Sequence, residues 1–427
     1  MPQGFANPSR RWIAAAIVVV AAAWLCYAGT IRGLAGFYGA SSNAADWVLA
    51  ARIEPANPEN WYRLGRYRQL DFDHTDIPLA ISYYRRAVAL NPRSPFYKLD
   101  LASALEMVGD NAEADKYYRG AQTDFPISAE VSWKYGNFLL RQQRLPEAYA
   151  EIHHAVIEEP KLMPLAISRA WHSDPDVQVL LDQVLPDTIS ADWEALKYLA
   201  GAQQPSAALT VWQKLLAKRP SIDSKTLFAF TDLLVKQGQF DEAGTVWRQA
   251  MNIEGRLPSA QNGISLVFDG GFEGGLSNGG FGWQQTDVLG ADFEFDTVVK
   301  HSGERSARIT FDGSANLTYI YPFQNVLVAP GTHYRFSGYL RTDQISTDRG
   351  VQFEIFDPQD TKQLNVYTPN ETGTLPWTLE QADFTPGPQT HMVQIRLLRQ
   401  PSQRFDNKIS GTAWVDDVSL VAVGPAQ

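Results

Sequence analysis

The sequence predicts a multidomain α + β protein: an N-terminal transmembrane helix, an α-helical solenoid, and a C-terminal antiparallel β-sandwich of the jelly-roll kind. Three observations carry this. Residues 12–31 are an uncharged, mostly apolar run; from about Asp46 to Met251 the text repeats with a period of 34; after Met251 apolar and polar residues alternate in short stretches. At 427 residues the chain is too long for one ordinary core and implies two or three domains.

Composition narrows the classes. The chain is 44% hydrophobic and 20% charged, as folded proteins are, and its single Cys excludes a disulfide scaffold or a Cys-based zinc ribbon. A net charge of −10 argues against nucleic acid as a partner, because phosphate recognition wants a basic surface. The acidity is uneven. Residues 262–427 hold 19 Asp and Glu against 11 Lys and Arg, leaving 28 against 26 elsewhere.

Arg10 and Arg11 precede the apolar run from Trp12 to Ile31, and Arg32 closes it. Twenty helical residues rise about 30 Å, enough to cross the hydrocarbon core. Trp12, Trp24 and Tyr27 lie towards its ends, where amphipathic rings favour the interface. The positive-inside rule puts residues 1–11 in the cytoplasm as a tail and residues 12–31 in the membrane as an uncleaved signal anchor. The bulk of the chain is then periplasmic or extracellular, on a bacterial inner-membrane single pass. A cleaved signal peptide would need a shorter core and a better site than Cys26-Tyr27-Ala28; a lipoprotein signal would need small residues where Trp24 and Leu25 stand.

The repeat region is expected over 46–253. Ala80, Ala114 and Ala148 are 34 apart, as are Tyr84, Tyr118 and Ile152, then Ala87, Ala121 and Ala155, then Pro92, Pro126 and Pro160. Ala, aromatic and Ala at i, i+4 and i+7 share one helical face, small residues letting the neighbouring helix close in. The proline five residues later stops the helix. With Trp61-Tyr62-Arg63-Leu64-Gly65 ahead of the first such helix, these columns resemble the tetratricopeptide repeat, a helix-turn-helix unit of 34 residues. Further copies appear at Ala208, Trp212, Leu215 and Pro220, and at Ala243, Trp247 and Ala250; residues 161–200, broken by Pro164, Pro175 and Pro186, read as a degenerate repeat. The resemblance implies a concave face that holds a protein or peptide partner. Some members of the family grip a carboxy-terminal peptide with cations and Asn on the first helices, which here offer Arg63, Arg66, Lys98, Lys134 and Asn137. Solvated helix faces are the plainer reading of the same residues.

A linker is expected over 254–263, marked by Gly255, Pro258 and Gly263, and the sandwich over 264–423. Tyr334–Arg341, Val351–Ile355 and Val393–Leu397 alternate with period 2, which reads as antiparallel strands with one wet face. About ten such strands fit a jelly roll. The module opens on Asp269-Gly270-Gly271-Phe272-Glu273 with Phe281-Gly282-Trp283, passes His301-Ser302-Gly303 and Pro330-Gly331, and closes on Trp414-Val415-Asp416-Asp417-Val418. This order of landmarks resembles the jelly-roll carbohydrate-binding modules appended to bacterial xylanases and cellulases. In that family the opening Glu and closing Asp pair commonly hold a structural calcium. Glu273, Asp416 and Asp417 are the candidate ligands, with loop 301–306 adding carbonyls; the alternative is a hydrogen-bonded carboxylate cluster without metal. Such modules stack sugar rings on aromatic faces, here Trp283, Tyr319, Tyr321, Tyr339 and Trp377. They bond hydroxyls with planar polar groups, here Gln352, Glu354, Gln394 and Arg396. Trp283 could equally plug the core.

No HExxH, P-loop, CxxC or dinucleotide fingerprint is present, so no catalytic residue is assigned and no enzyme is expected. Gly275-Leu276-Ser277-Asn278-Gly279 matches a nucleophile elbow by letter only, and His153-His154 lies on a repeat helix without a carboxylate at ligand spacing. The expected function is a membrane-anchored scaffold that binds a protein through its repeats and a polysaccharide or oligosaccharide through its sandwich, in making, exporting or sensing a cell-surface polysaccharide. A protein scaffold whose sandwich binds no sugar, and a carbohydrate-active enzyme with an unrecognised site, are the alternatives.

Overall fold

A computed structural model describes residues 8–256 and 265–425. Among these the chain separates into two compact units, divided between Asp187 and Thr188. Most of the expected linker, residues 257–263, lies outside the described residues, as does part of the expected N-terminal tail.

The first unit is helical. Helix α1 (Pro8–Gly39) is followed by α2 (Ala44–Ile53), α3 (Pro58–Leu70), α4 (Ile77–Leu90), α5 (Pro95–Met107), α6 (Asn111–Asp124), α7 (Ala129–Arg141), α8 (Leu145–Glu158) and α9 (Met163–Ser173). Asn57, Asp76, Ser94, Asp110 and Ser128 each cap a following helix through a side-chain oxygen. Helices α4, α6 and α8 all end two residues before a proline. In each case the residue between, Asn91, Phe125 or Glu159, has ψ of 82°, 72° or 86°, out of the helical region that a following proline disfavours.

Ala80, Tyr84, Ala87, Ala114, Tyr118, Ala121, Ala148, Ile152 and Ala155 are all buried. The paired helix comes so close that a Cβ on Gly65 would lie 2.6 Å from the Tyr84 ring, and one on Gly136 2.9 Å from Ile152. The degenerate stretch shows why the period fails there. After α9 comes a short turn, α10 (Val177–Val179), running into a π-helical turn over Leu180–Val184 where a full second helix would stand. It packs on α8, burying Leu180, Leu181 and Val184.

The second unit holds helices α11 (Ile189–Gly201), α12 (Pro205–Ala217), α13 (Ser224–Lys236) and α14 (Phe240–Ile253), then the sandwich. Its strands are β1 (Ala291–Asp296), β2 (Ser306–Asp312), β3 (Phe323–Leu327), β4 (Thr332–Ile345), β5 (Gln352–Phe356), β6 (Asn365–Tyr367), β7 (Gly373–Phe384), β8 (Met392–Leu398) and β9 (Ser410–Pro425). They form two antiparallel sheets, β1-β2-β9-β4-β7 and β3-β8-β5-β6. One apolar core lies between them, with Phe336, Phe353, Ile355, Ile395 and Leu420 fully buried.

Helices α13 and α14 dock directly on this sandwich. The Trp247 ring meets Phe268 and Phe281 edge-on at 5.7 and 5.9 Å, and Phe240 stacks on His391 at 4.8 Å. Gly279 and Gly280 lie flush against Phe228 and Trp247, where an added Cβ would stand 2.2 and 2.4 Å from ring carbons. An array of helical repeats needs its last apolar face covered. Here the sandwich covers it.

Candidate functional site

Alternation along the strands of the four-stranded sheet turns Val326, Val393, Ile395, Phe353 and Ile355 inward. The residues between them face outward. Antiparallel register then aligns Phe323, Arg396, Glu354 and Tyr367 in one row across all four strands, with Asn325, Gln394, Phe356 and Asn365 in the next. The four polar candidates Gln352, Glu354, Gln394 and Arg396 therefore share one face, but Glu354 is only 3% exposed, so its assignment is corrected: its carboxylate holds Arg396 in place and does not itself meet a ligand.

Their positions are held by bonds to one another. Arg396 Nε donates to Glu354 Oε2 at 2.5 Å, with its guanidinium 4.4 Å over the Phe356 ring. Gln394 Nε2 donates to Asn325 Oδ1 at 3.0 Å, and Asn365 Nδ2 to Tyr367 Oη at 2.9 Å. Tyr367 stands 43% exposed at the sheet edge, its hydroxyl pKa raised by partial burial and by the charge of Glu354. The row spans about 14 Å, three strand spacings. Its one ion pair is internally closed, and the remaining polar groups are amides and a phenol. Such a face can offer hydrogen bonds in fixed directions, with aromatic rings at its flanks, to an uncharged polar ligand.

The aromatic candidates belong elsewhere. Trp283 is 2% exposed; its ring stacks on Phe272 at 4.7 Å and its Nε1 donates to the Asp269 carbonyl. Tyr319 is fully buried and donates to Gln285. Neither can present a face to a sugar, which corrects their assignment: both are core. Tyr321 is half-buried against the same core, 5.8 Å from Phe323. Tyr339 and Trp377 lie on the outer face of the five-stranded sheet, on the opposite side of the sandwich from Arg396. There Tyr339 stacks on His301 at 3.5 Å and Trp377 meets that imidazole edge-on at 5.8 Å. Period 2 separates inside from outside within a strand, but says nothing about which sheet a strand joins. Phe323, Asn325, Asn365 and Tyr367 escaped notice for that reason; β6, at three residues, is also too short to show alternation.

Loop 301–306 does reach the three carboxylates, but with donors. Asp416 Oδ2 accepts from the backbone N–H of His301 and Ser302, at 2.8 and 3.1 Å, and its Oδ1 from Asp417 N. Asp417 is bonded to Ser302 Oγ and His301 Nδ1, and Glu273 Oε1 accepts from Glu304 N. Five of the six carboxylate oxygens are so engaged. Burial still raises the Asp416 pKa, against the pull of those N–H groups. Among the described residues no three acidic, imidazole or thiol groups are gathered to hold a metal ion. Calcium needs several oxygen ligands turned to one point; this cluster, as arranged, does not fit it.

Gly303 is the keystone, with φ of +60° and Glu273 Oε1 only 1.8 Å from where a Cβ would stand. Gly303→Ala is expected to cost about 2 kcal/mol or more, from strain and lost bonds. Chelator should leave the melting midpoint of the wild-type chain unchanged. A midpoint raised several degrees by Ca²⁺ and restored by chelator would show instead that the carboxylates regroup around the ion.

The first-helix candidates of the repeats are also engaged. Asp100 lies 3.9 Å from Arg66 and 3.5 Å from Lys134, residues 34 before and after it, so one helical position forms an ion-pair ladder through three repeats. Tyr62 donates to the same Asp100, and Tyr97 to Glu59; burial and Glu59 push the Tyr97 hydroxyl up to about 12. Arg63 bonds Glu59 and the Gly39 carbonyl, and Lys98 bonds Asp124 and Gly120. Asn137 is buried, its amide turned back to the Trp133 carbonyl. Arg66 and Lys134 thus join repeat to repeat, Lys98 and Asn137 are held within their own, and the set does not stand as a preset clamp for a carboxylate. His153 and His154 likewise bond Val184 O and Ser132 Oγ. Gly275–Gly279 runs through irregular loop, with the Ser277 hydroxyl buried.

No protein-family model matches this chain, and no curated protein matches it. Solved structures do resemble its parts. The CBM22-1 xylan-binding domain of Paenibacillus barcinonensis Xyn10C is similar at 18% identity, over 39% of this chain and 100% of that one, with a TM-score of 0.28. PilF of Pseudomonas aeruginosa is similar at 19% identity, over 47% and 92%, with a TM-score of 0.26. YrrB, described as a TPR protein with an unusual peptide-binding site, is similar at 12% identity, over 50% and 94%, with a TM-score of 0.24.

Proposed function

We propose that this chain, a tetratricopeptide-type helical array joined to a jelly roll of the carbohydrate-binding-module type, is a membrane-anchored envelope scaffold without enzymatic activity. In this reading the array recruits a protein and the sandwich holds an uncharged glycan on the outer face of its four-stranded sheet. The observation that supports it best is the row Phe323–Arg396–Glu354–Tyr367, where fixed polar groups lie between two aromatic rings. A row of about 14 Å suits a short oligosaccharide segment better than a single ring. One N-terminal helix is long and apolar enough to cross a membrane, and its apolar window is wholly exposed. That surface supports the anchor, and the arginines around the run favour a cytoplasmic N-terminus. Together the parts suit work on a cell-surface polysaccharide, in its assembly, export or sensing.

Retention of the full chain, in detergent micelles, on immobilised xylan, β-glucan, mannan and alginate tests the glycan step. A neutral polysaccharide should retain the wild type. Tyr367→Ala and Arg396→Gln should each weaken retention about tenfold, the loss of one good contact, while Trp377→Ala, on the other face, should not. Retention lost only with Trp377→Ala would move the site to the five-stranded sheet. A folded chain retained by nothing would favour a protein scaffold.

A further inference from the structure

Helix α1 does not stop where its apolar run stops. It continues unbroken through Arg32 to Gly39, and its last turns serve as the first helix of a hairpin whose second helix is α2. Ala28 and Ile31 are half-buried and Ala35 and Gly39 buried. Their spacing of three, four and four marks one face of the helix. That face packs on the array. Arg32 pairs with Glu54 at 3.8 Å, Arg63 donates to the Gly39 carbonyl, and a Cβ on Gly39 would lie 3.5 Å from Asn60 Oδ1. A four-residue turn, braced by Ser41 bonded to Asp46 and Trp47 Nε1 bonded to Ser41 O, is all that separates α1 from α2.

The other side of the hairpin is apolar and open. Leu34 is 45%, Phe37 76% and Leu49 40% exposed. With a rise of 1.5 Å per residue, Leu34 lies about 5 Å and Phe37 about 9 Å beyond Ile31. Glu54 meets Arg32, so α2, running back antiparallel, carries Leu49 to about the height of Phe37. A bilayer's polar layer is about 5–8 Å deep on each side. Leu34 thus continues the exposed apolar surface of the span into that layer, and Phe37 and Leu49 stand at its outer boundary.

We propose that the first hairpin rests on the bilayer, with Leu34, Phe37 and Leu49 in contact with the lipid interface, so that the array is held against the membrane by a continuous helix with no flexible linker. The proposal rests on the anchor reading. A partner of this chain would then be gathered at the membrane surface.

The test uses the full chain in phosphatidylcholine nanodiscs, with Cys26→Ala and single bimane-labelled cysteines at exposed positions, Val20→Cys, Phe37→Cys, Leu49→Cys and Val108→Cys. Lipids brominated near the headgroup and, in parallel, lipids brominated towards the end of the acyl chain are the quenchers, the latter reading position 20 near the middle of the span. Quenching of at least twofold at 20, 37 and 49, with none at 108 in the α5–α6 turn, is expected. Quenching at 20 alone would overturn the resting hairpin and leave the anchor standing. No quenching at 20 would overturn both.

Discussion

Arg399→Met lowers the melting midpoint of the sandwich by about 10 °C or more, which near-ultraviolet circular dichroism will read. The side chain is fully buried, yet no carboxylate pairs with it among the described residues. Its acceptors are neutral. Nη1 donates to Asn316 Oδ1 and the Leu317 carbonyl, Nη2 to the Asn407 carbonyl and Nε to the Arg349 carbonyl. One guanidinium thereby ties three loops at one end of the sandwich. Burial lowers its pKa, although arginine stays charged at any ordinary pH. Methionine matches much of the volume and none of the bonds, leaving buried carbonyls without donors at about 1–3 kcal/mol each. The total should be about 3–5 kcal/mol, at about 2–4 °C per kcal/mol for a unit of this size. Arg399→Lys should recover only part, because an ammonium cannot span the same fork of acceptors. A midpoint within two degrees of wild type would show that the loops hold without the pin.

Glu380→Gln works in the opposite direction. Glu380 lies 3% exposed on β7, opposite Gly338 and on the core-facing side with Ala382 and Phe384. Burial, and then the charge of Glu371, push its carboxyl up to about 7 from an ordinary 4.5. The native state therefore holds a proton between those values that the unfolded state has released. Stability contributed by the protonated form is complete below pH 4.5 and is lost as pH rises through 7, the reverse of a salt-bridged carboxylate. The glutamine variant should be more stable than wild type by about 2 kcal/mol at pH 8, and nearly equal to it at pH 4.5. Denaturant titrations at the two pH values measure this. Parallel pH profiles for the two proteins would show that the carboxyl titrates alike in the folded and the unfolded chain.

Much of the helical region was legible from local spacing. The columns Ala80–Tyr84–Ala87 and their copies predicted buried helix faces, and Pro92, Pro126 and Pro160 predicted helix ends, because both effects act within a turn or two of chain. Of the stretch where the columns broke, 161–200, the fold breaks over Val177–Val184, while α11 resumes a regular helix at Ile189. The sites were only half legible. Gln352, Glu354, Gln394 and Arg396 were found by parity and do share a face, but the aromatic candidates were scattered between the core and the opposite sheet. Arg66 and Lys134 looked available because their shared partner stands a repeat away. Asp100 answers Arg66 and Lys134 across 34 residues each.

By itself the sequence determined the apolar helix, the period of 34, the helix stops and the inward or outward parity of each strand. All of these depend on neighbours within a few residues, where side-chain direction repeats with the backbone. Tertiary structure alone decided which parities face together and which charges are spent. Glu354 and Arg396 meet across 42 residues and His301 and Asp417 across 116, pairings set by sheet order and register, to which a local pattern is blind.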